Sequence, residues 1–442
     1  MLMMRKIQCL EINGFIKPFI FVLLCLISFL AHSQSRFENI KIPKTESLYP
    51  YEQCEPSIVI HPKNKNIIAA GSVMDGFYTS KDGGKSWEAE QLSSKYGVNG
   101  DPVLIYDSSG CLYYFHLSNY SKTSRLDRIV CQTKKKTEKP FSKGSFPAPN
   151  GTKVQDKHWV AVHPYKKEIC MTWTQFDKYN SSDPKDSSVI LFSKSKNKGR
   201  CWSKPKRISA YGGDCLDGDN TVEGAVPAYG VNGEIYVVWT GPKGLVFQKS
   251  SNGGKSWLKK ELSIGPHPGG WTYDIPGIYR CNGLPILVCD HSNGPNRGTL
   301  YLNWTDQRNG EENTDVWLSK SKDDGKNWSK PIKVNQDQGK SQQFLSWMTI
   351  DQSDGTLYFV FYDRRNYSDL KTDVYLAYSK DGGESFLEER VSEKPFIPNE
   401  KVFFGDYLNI SAVNGLIIPI WPRMDQRKIS LWVAPINKLL LK

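Results

Sequence analysis

The sequence predicts an all-β protein, a β-propeller of four-stranded blades, with seven blades favoured over six. Three observations carry this. Short alternating strands bounded by Gly, Asn and Asp run along the 442 residues, and helical periodicity is hard to find. A turn octapeptide, "SKDGGKSW" at 80–87, returns in altered copies beginning at 195, 250, 321 and 379. Each copy closes a unit of strand, turn, strand, loop, strand, boxed turn, strand, and such units repeated in series stack radially.

The units follow in order. "EPSIVIHP", "NIIAAGSV" and "GFYTSKDGGKSW" make the first. The 115-residue gap between the first two boxes is twice the usual step, and "DRIVCQTKKKTEKPF" (127–141) fills it as a degenerate copy. "VPAYG", "EIYVVWTG" and "GLVFQKSSNGGKSW" form a later unit, and "FLSWMTIDQ", "TLYFVFYDRR" and "DVYLAYSKDGGESF" another, which brings the count to six. A seventh has three strands and no box, in "FFGDYLNISAVNG", "LIIPIWPRM" and "KISLWVAP". "FENIKIP" (37–43) is placed to supply its outer strand and close the ring.

The boxed turn reads as scaffold. Its Ser and Asp side chains bond the turn's own backbone, its Gly takes φ > 0, and its Trp or Phe packs between sheets.

The N-terminus reads as a signal peptide. Arg5, Lys6 and Lys17 precede the 13-residue apolar run 19–31, short of the roughly 20 that a spanning helix needs. Ala31 and Ser33 suit cleavage near Ser33, giving residues 1–33 as leader and 34–442 as one mature, secreted or periplasmic domain. Losing three bases and one acid lowers the net charge from +12 to +10. The bases are scattered, with one run at Lys134–Lys136; no basic-aromatic stripe accompanies them, which argues against nucleic acid as a partner. A monomer is expected. Eight of the ten cysteines remain, and disulfides are expected: Cys111 with Cys131, and Cys281 with Cys289 or Cys215. No CxxC or HxxxH spacing suggests zinc.

Antiparallel strands sort the loops. Turns 1–2 and 3–4 share one rim with the boxes; the other rim gathers the starts of first strands and the ends of second strands. First strands begin near Glu55, Asp101, Asp156, Glu223 and Asp406, with Tyr407 adjacent. Second strands end near Asp75 and in "DQR" (306–308), "DRR" (363–365) and "PRMD" (422–425). Carboxylates and Arg308, Arg365 and Arg423 are therefore expected to converge on one mouth. Paired acids serve glycoside hydrolysis, and clustered arginines bind carboxylates; the same residues also suit strand-end pairing. Asp214, Asp217 and Asp219 in "GGDCLDGDNTVEG" (212–224) offer oxygens for Ca²⁺, although a plain polar crossover loop reads the same.

The 80–87 octapeptide matches the Asp-box (BNR) repeat S-x-D-x-G-x-[ST]-W, and over roughly residues 50–435 the chain resembles the sialidase superfamily. That resemblance implies an exported propeller acting on or binding glycans, as an exo-α-sialidase-like glycoside hydrolase. It implies Tyr407 as nucleophile, Glu223 as its activating acid and Asp101 or Asp75 as acid/base. Arg308, Arg365, Arg423, Asp156 and Asp406 would then bind substrate. The sequence departs from the family pattern where Glu55 stands in "CEPSI", since an arginine motif opens the family's first blade. A non-catalytic carbohydrate- or protein-binding propeller is the alternative.

Overall fold

A computed structural model describes residues 36–45, 53–120, 126–135 and 139–442. The expected leader 1–33 lies outside them, and no helix among the described residues is long and apolar enough to cross a membrane.

Phe37–Lys442 form one unit of seven antiparallel sheets, the blades of a propeller. Blade 1 runs through Ser57–Ile60, Ile68–Ser72, Gly76–Ser80 and Glu88–Gln91 in simple meander order. Blades 3, 4, 5 and 6 repeat that order, with first strands Val154–Val162, Glu223–Tyr229, Ile286–Cys289 and Gln343–Asp351. Blade 2 pairs Val103–Tyr106, Leu112–Ser118 and Arg128–Lys134, and its fourth strand is reduced to a bridge between Cys131 and Ser145. Blade 7 takes its first three strands from Asn409–Val413, Leu416–Asp425 and Lys428–Val433. Its outer strand is the N-terminal Ile40–Lys41, with Ile40 opposite Val433.

The boxes behave as expected. The Ser80 hydroxyl donates to Asp82 Oδ1 at 2.8 Å and accepts from the Gly84 N–H at 2.9 Å. Asp82 Oδ1 accepts from the N–H groups of Lys85 and Ser86, both at 3.0 Å, and the Trp87 indole donates to the Gly84 carbonyl. Asn252 takes the Asp place in the 250 box, accepting from the Ser256 N–H at 2.8 Å. Glycine is required at the fourth-blade box: Gly254 sits at φ +84°, and a Cβ there would lie 2.5 Å from the Phe192 ring of the preceding blade. Each box thus seats on its neighbour and sets the spacing between blades.

Blade 2 shows why its box is unrecognisable in sequence. Lys134, paired with Leu112, stands where Ser250, paired with Ile235, opens the 250 box. Phe141 stands in for the box tryptophan by packing edge-on against Phe77 of blade 1, with ring centroids 5.0 Å apart.

The expected disulfides are not present: all eight cysteines of the described residues are free thiols, seven of them buried. Register explains the first pair, since Cys131 lies opposite Phe115 while Cys111 precedes Leu112, the partner of Lys134. Cys281 sits in a two-stranded hairpin with Tyr273, Cys289 ends a strand of blade 5, and Cys215 packs with Val154 and Phe176. The thiols fill core sites as small hydrophobes.

Candidate functional site

The innermost strands of three successive blades start alike. Glu55, Asp101 and Lys157 hold φ of 50°, 48° and 47°, a left-handed conformation uncommon for residues with a Cβ. Strain of this kind persists where the surroundings over-determine it, and it concentrates at functional sites. Two of the three precede Pro56 and Pro102. Blade 6 has Leu345 at φ 50°, and in blades 4 and 7 glycines take the left-handed turn, Gly224 at 70° and Gly405 at 93°. The ring of turns places Glu55, Asp101 and Lys157 along one cleft, on the rim opposite the boxes.

That cleft holds about 760 Å³, and its lining includes Glu55, Asp101, Asp156, Lys157, Tyr179 and Arg280. Its base is an ionic network spanning the ring. The Lys157 ammonium donates to Asp406 Oδ2, from the blade 3 start to the blade 7 start, and lies 3.9 Å from Glu55 Oε1. Arg280 caps Asp406 with two bonds, Nε to Oδ1 at 2.6 Å and Nη2 to Oδ2. Its Nη1 is 3.6 Å from Asp217, and Arg280 keeps 40% of its side chain exposed. Tyr179 donates to Asp217 at 2.6 Å. Asn282 fixes the Asp406 backbone from the side, donating to its carbonyl at 2.9 Å.

Environment splits these carboxyls. Burial works against the Asp406 carboxylate, yet Lys157 and Arg280 outweigh it and hold the group well below the usual range. Burial also works against the Lys157 ammonium, but Asp406, Asp101 and Glu55 keep it charged. Asp156 goes the other way: burial, then the neighbouring Asp101, push it up to about 7. Burial likewise raises Glu55 and Glu223, with Lys157 opposing the shift at both. The cleft lining therefore carries a carboxyl poised to exchange its proton, Asp156, while the fixed carboxylate Asp406 is bonded to Lys157 and Arg280 of that lining.

The sequence-predicted residues divide. Asp101 and Asp156 line the cleft, and Asp406 is the carboxylate of the network. Glu223 lies fully buried beside Asp217, Asp156 and Lys157. Tyr407 is 6% exposed and plugs the channel between Trp159 and Trp347, with ring centroids 5.3 and 6.0 Å away. Burial, then Asp101 and Glu55, raise its phenol, and no hydrogen bond joins it to Glu223 among the described residues.

Arg308, Arg365 and Arg423 do not line the cleft. Arg308 folds back on Asp306, at 2.9 Å from Nε to Oδ1, and lies over the Trp317 ring. Arg365 pairs with Asp363 and Glu388 and lies over Tyr375. Arg423 pairs with Asp425 and lies over Trp432. The common cause is local: an Asp two residues away along the strand captures the guanidinium, and an aromatic on the third strand supports it. Asp75 accepts from Gln91 at 2.8 Å. Of the acids offered for Ca²⁺, Asp214 accepts from Thr221, Asp217 from Tyr179 and Asp219 from the Thr272 N–H, so the three turn to separate donors.

Two central residues escaped the sequence reading. Lys157 directly follows the noted Asp156, and its signal was the first-strand position it shares with Glu55 and Asp101. Arg280 comes from the two-stranded hairpin Thr272–Tyr273 and Cys281–Asn282, an insertion between blades 4 and 5 with no counterpart in the repeat.

Fold and site together define a seven-bladed Asp-box propeller with a charged cleft on the face opposite the boxes. No family model matches the sequence, and no curated protein matches it. Among solved structures it is similar to a mutant NanB sialidase from Streptococcus pneumoniae, at 10% identity over 85% of this chain and 84% of that one, TM-score 0.50. It is also similar to an ulvan lyase of polysaccharide lyase family 25, at 12% identity over 88% and 95%, TM-score 0.51. An α-L-arabinofuranosidase from Fusarium graminearum matches at 11% identity over 91% and 98%, TM-score 0.50. These likenesses establish a shared fold.

Proposed function

We propose that this protein binds a glycan in the cleft over blades 1–3 and cleaves a glycosidic bond there. The observation that carries the reading is that Asp156 and Asp101 share one cleft lining and that burial, then Asp101, raise the Asp156 carboxyl to about 7, the kind of pairing that divides acid and base work. Asp156 is the candidate general acid, with a proton available near neutral pH. Asp101, on the same lining, is the candidate partner carboxylate, and the surplus of acids suits an oxocarbenium-like transition state. At the rim, Phe403 lines the cleft under the Arg280 guanidinium and beside the 56%-exposed Tyr279, an apolar-faced platform of the kind sugar rings stack on. That proteins of this fold include a sialidase, an arabinofuranosidase and a lyase of polysaccharides agrees with a glycan ligand.

The sialidase-type reaction is the finer form of the reading. It asks for a cationic clamp on a substrate carboxylate, and the cleft's cations are Lys157, Arg280 and Lys401. Arg280 commits one edge to Asp406 and turns Nη1 toward Asp217 at 3.6 Å, while 40% of its side chain stays exposed to a ligand. The second reading, a propeller that binds without turnover, draws on the burial of Tyr407 between two tryptophans.

The test is a panel of aryl glycosides, sialosides included, and of polysaccharides, scored for binding and product with purified 34–442 and its Asp156→Asn and Asp101→Asn variants. Turnover lost in both variants with binding retained supports cleavage. Binding without product in the parent protein moves the conclusion to the second reading, and no binding by any glycan overturns both.

A further inference from the structure

The box rim, opposite the cleft, is electrically lopsided. On blade 1 the exposed Lys63 and Lys65 occupy the first turn and Lys85 the box, and the Gly83 N–H to Asn66 carbonyl bond, at 3.0 Å, ties the two turns together. Blade 2 adds the exposed Lys135 and Lys139. Blade 3 adds Lys166, Lys167, Lys196 and Arg200, all exposed. None of these bases makes an ion pair among the described residues. On the same rim of blades 4–6 the charges balance instead: Lys320 pairs with Glu384 at 2.6 Å, Lys249 with Asp324 at 3.2 Å and Lys438 with Asp354 at 3.0 Å.

A cavity of about 330 Å³ opens between blades 1 and 2, lined in part by His61, Thr79, Tyr106, Ser109, Lys134 and Lys135. That volume is at the low end of ligand pockets, about 300–1,000 Å³. Its walls offer hydroxyls, a ring nitrogen and the ammonium group of Lys135, with the buried Lys134 ammonium 3.7 Å from Glu90. A self-repelling cationic sector is a cost to the compact state unless a polyanion offsets it.

We propose that the box rim over blades 1–3 is a docking face for an acidic polysaccharide, with one charged sugar seated in the blade 1–2 cavity. The cavity favours this occupant over other polyanions. Duplex DNA keeps its phosphates on a rigid surface and cannot enter a recess, whereas a sugar bearing sulfate or carboxylate can. A lipid surface would want exposed apolar side chains, and of the large exposed hydrophobics only Tyr165 belongs to these turns. The face lies on the rim away from the cleft, so the inference stands whatever the cleft turns over.

The experiment measures binding of dextran sulfate by purified 34–442 across a salt series, with neutral dextran, duplex DNA and phosphatidylglycerol vesicles as parallel probes. Dextran sulfate should bind tighter than DNA at equal salt and weaken as salt rises, since counterions are released on binding. Lys63→Glu/Lys65→Glu/Lys166→Glu should weaken it by about tenfold or more at moderate salt. Lys322→Glu/Lys326→Glu/Lys380→Glu, on the balanced sector of the same rim, makes the same change in net charge and should shift it far less. Equal losses in the two triple variants, tighter binding of DNA, or preference for vesicles would each overturn the proposal.

Discussion

Lys157 of blade 3 and Asp406 of blade 7 form a buried ion pair, 249 residues apart in sequence, beneath the cleft. Arg280 completes it from an insertion outside the blade repeat, so one carboxylate answers two cations.

Asp406 should therefore be the least replaceable member. Asp406→Ala leaves two cations without their partner and should destabilise by about 3–5 kcal/mol, the range for breaking a buried pair from one side. Lys157→Met leaves Asp406 bonded to Arg280 and should cost clearly less. Denaturant unfolding of both variants checks the order.

Asp156 makes a pH prediction. Its folded pKa of about 7 lies above the ordinary carboxyl value of about 3.9. Between those values the folded state holds the proton and the unfolded state does not, so stability falls as pH rises through that window and levels off above about 7. Asp156→Asn should lessen that slope in melting temperatures taken from pH 4 to 8. As a general acid, Asp156 also predicts turnover that declines as pH rises past about 7.

The boxes predict the opposite sign at lower pH. Hydrogen bonds from Ser86 lower Asp82 to about 2, and those from Asn327 do the same for Asp323; at Asp381, bonds from Ser385 and Ser379 outweigh burial and again give about 2. Their stabilisation is present above about pH 4 and is lost as pH falls toward 2. Replacing all three by Asn should flatten the acid limb of the stability curve while leaving glycan binding in the cleft unchanged.

The strand-end arginines should act on stability, graded by their partners. Arg365→Ala strands the buried Asp363 and should cost about 3–5 kcal/mol. Arg423→Ala loses a partner, Asp425, that is half exposed, and should cost under about 1 kcal/mol. Neither should alter binding in the cleft; a selective loss of binding with normal melting would return these residues to the site.

What the sequence made legible follows from repetition. Boxes at blade spacing gave the architecture, and the three-stranded last unit pointed to the N-terminal strand that completes it. The starts of first strands were readable as one group because the blades deliver that position to the same rim, which is how Glu55, Asp101 and Asp156 come to line one cleft with Lys157, the partner of Asp406. Arg308, Arg365 and Arg423 were placed on the correct strand ends, but their local pairing with Asp two residues away is set by side-chain geometry that strand order does not reveal. Arg280 was invisible to a reading built on repeats, because its hairpin belongs to none. The cysteines misled for a related reason: an even number permits disulfides, while register decides them.

The pairing of Ile40 with Val433 carries a consequence for how the molecule is made. The strand Ile40–Lys41 is made long before its partner strand Lys428–Val433, so it waits until the intervening blades have been synthesised. Blades 1 to 6 can assemble in succession from local meanders, but the circle is latched only by this most non-local contact, and such contacts are slow to form. Any processing or engineering that trims the chain past residue 40 would remove the latch itself. It would leave blade 7 with a bare edge along Lys428–Val433, open to strand exchange with a second molecule.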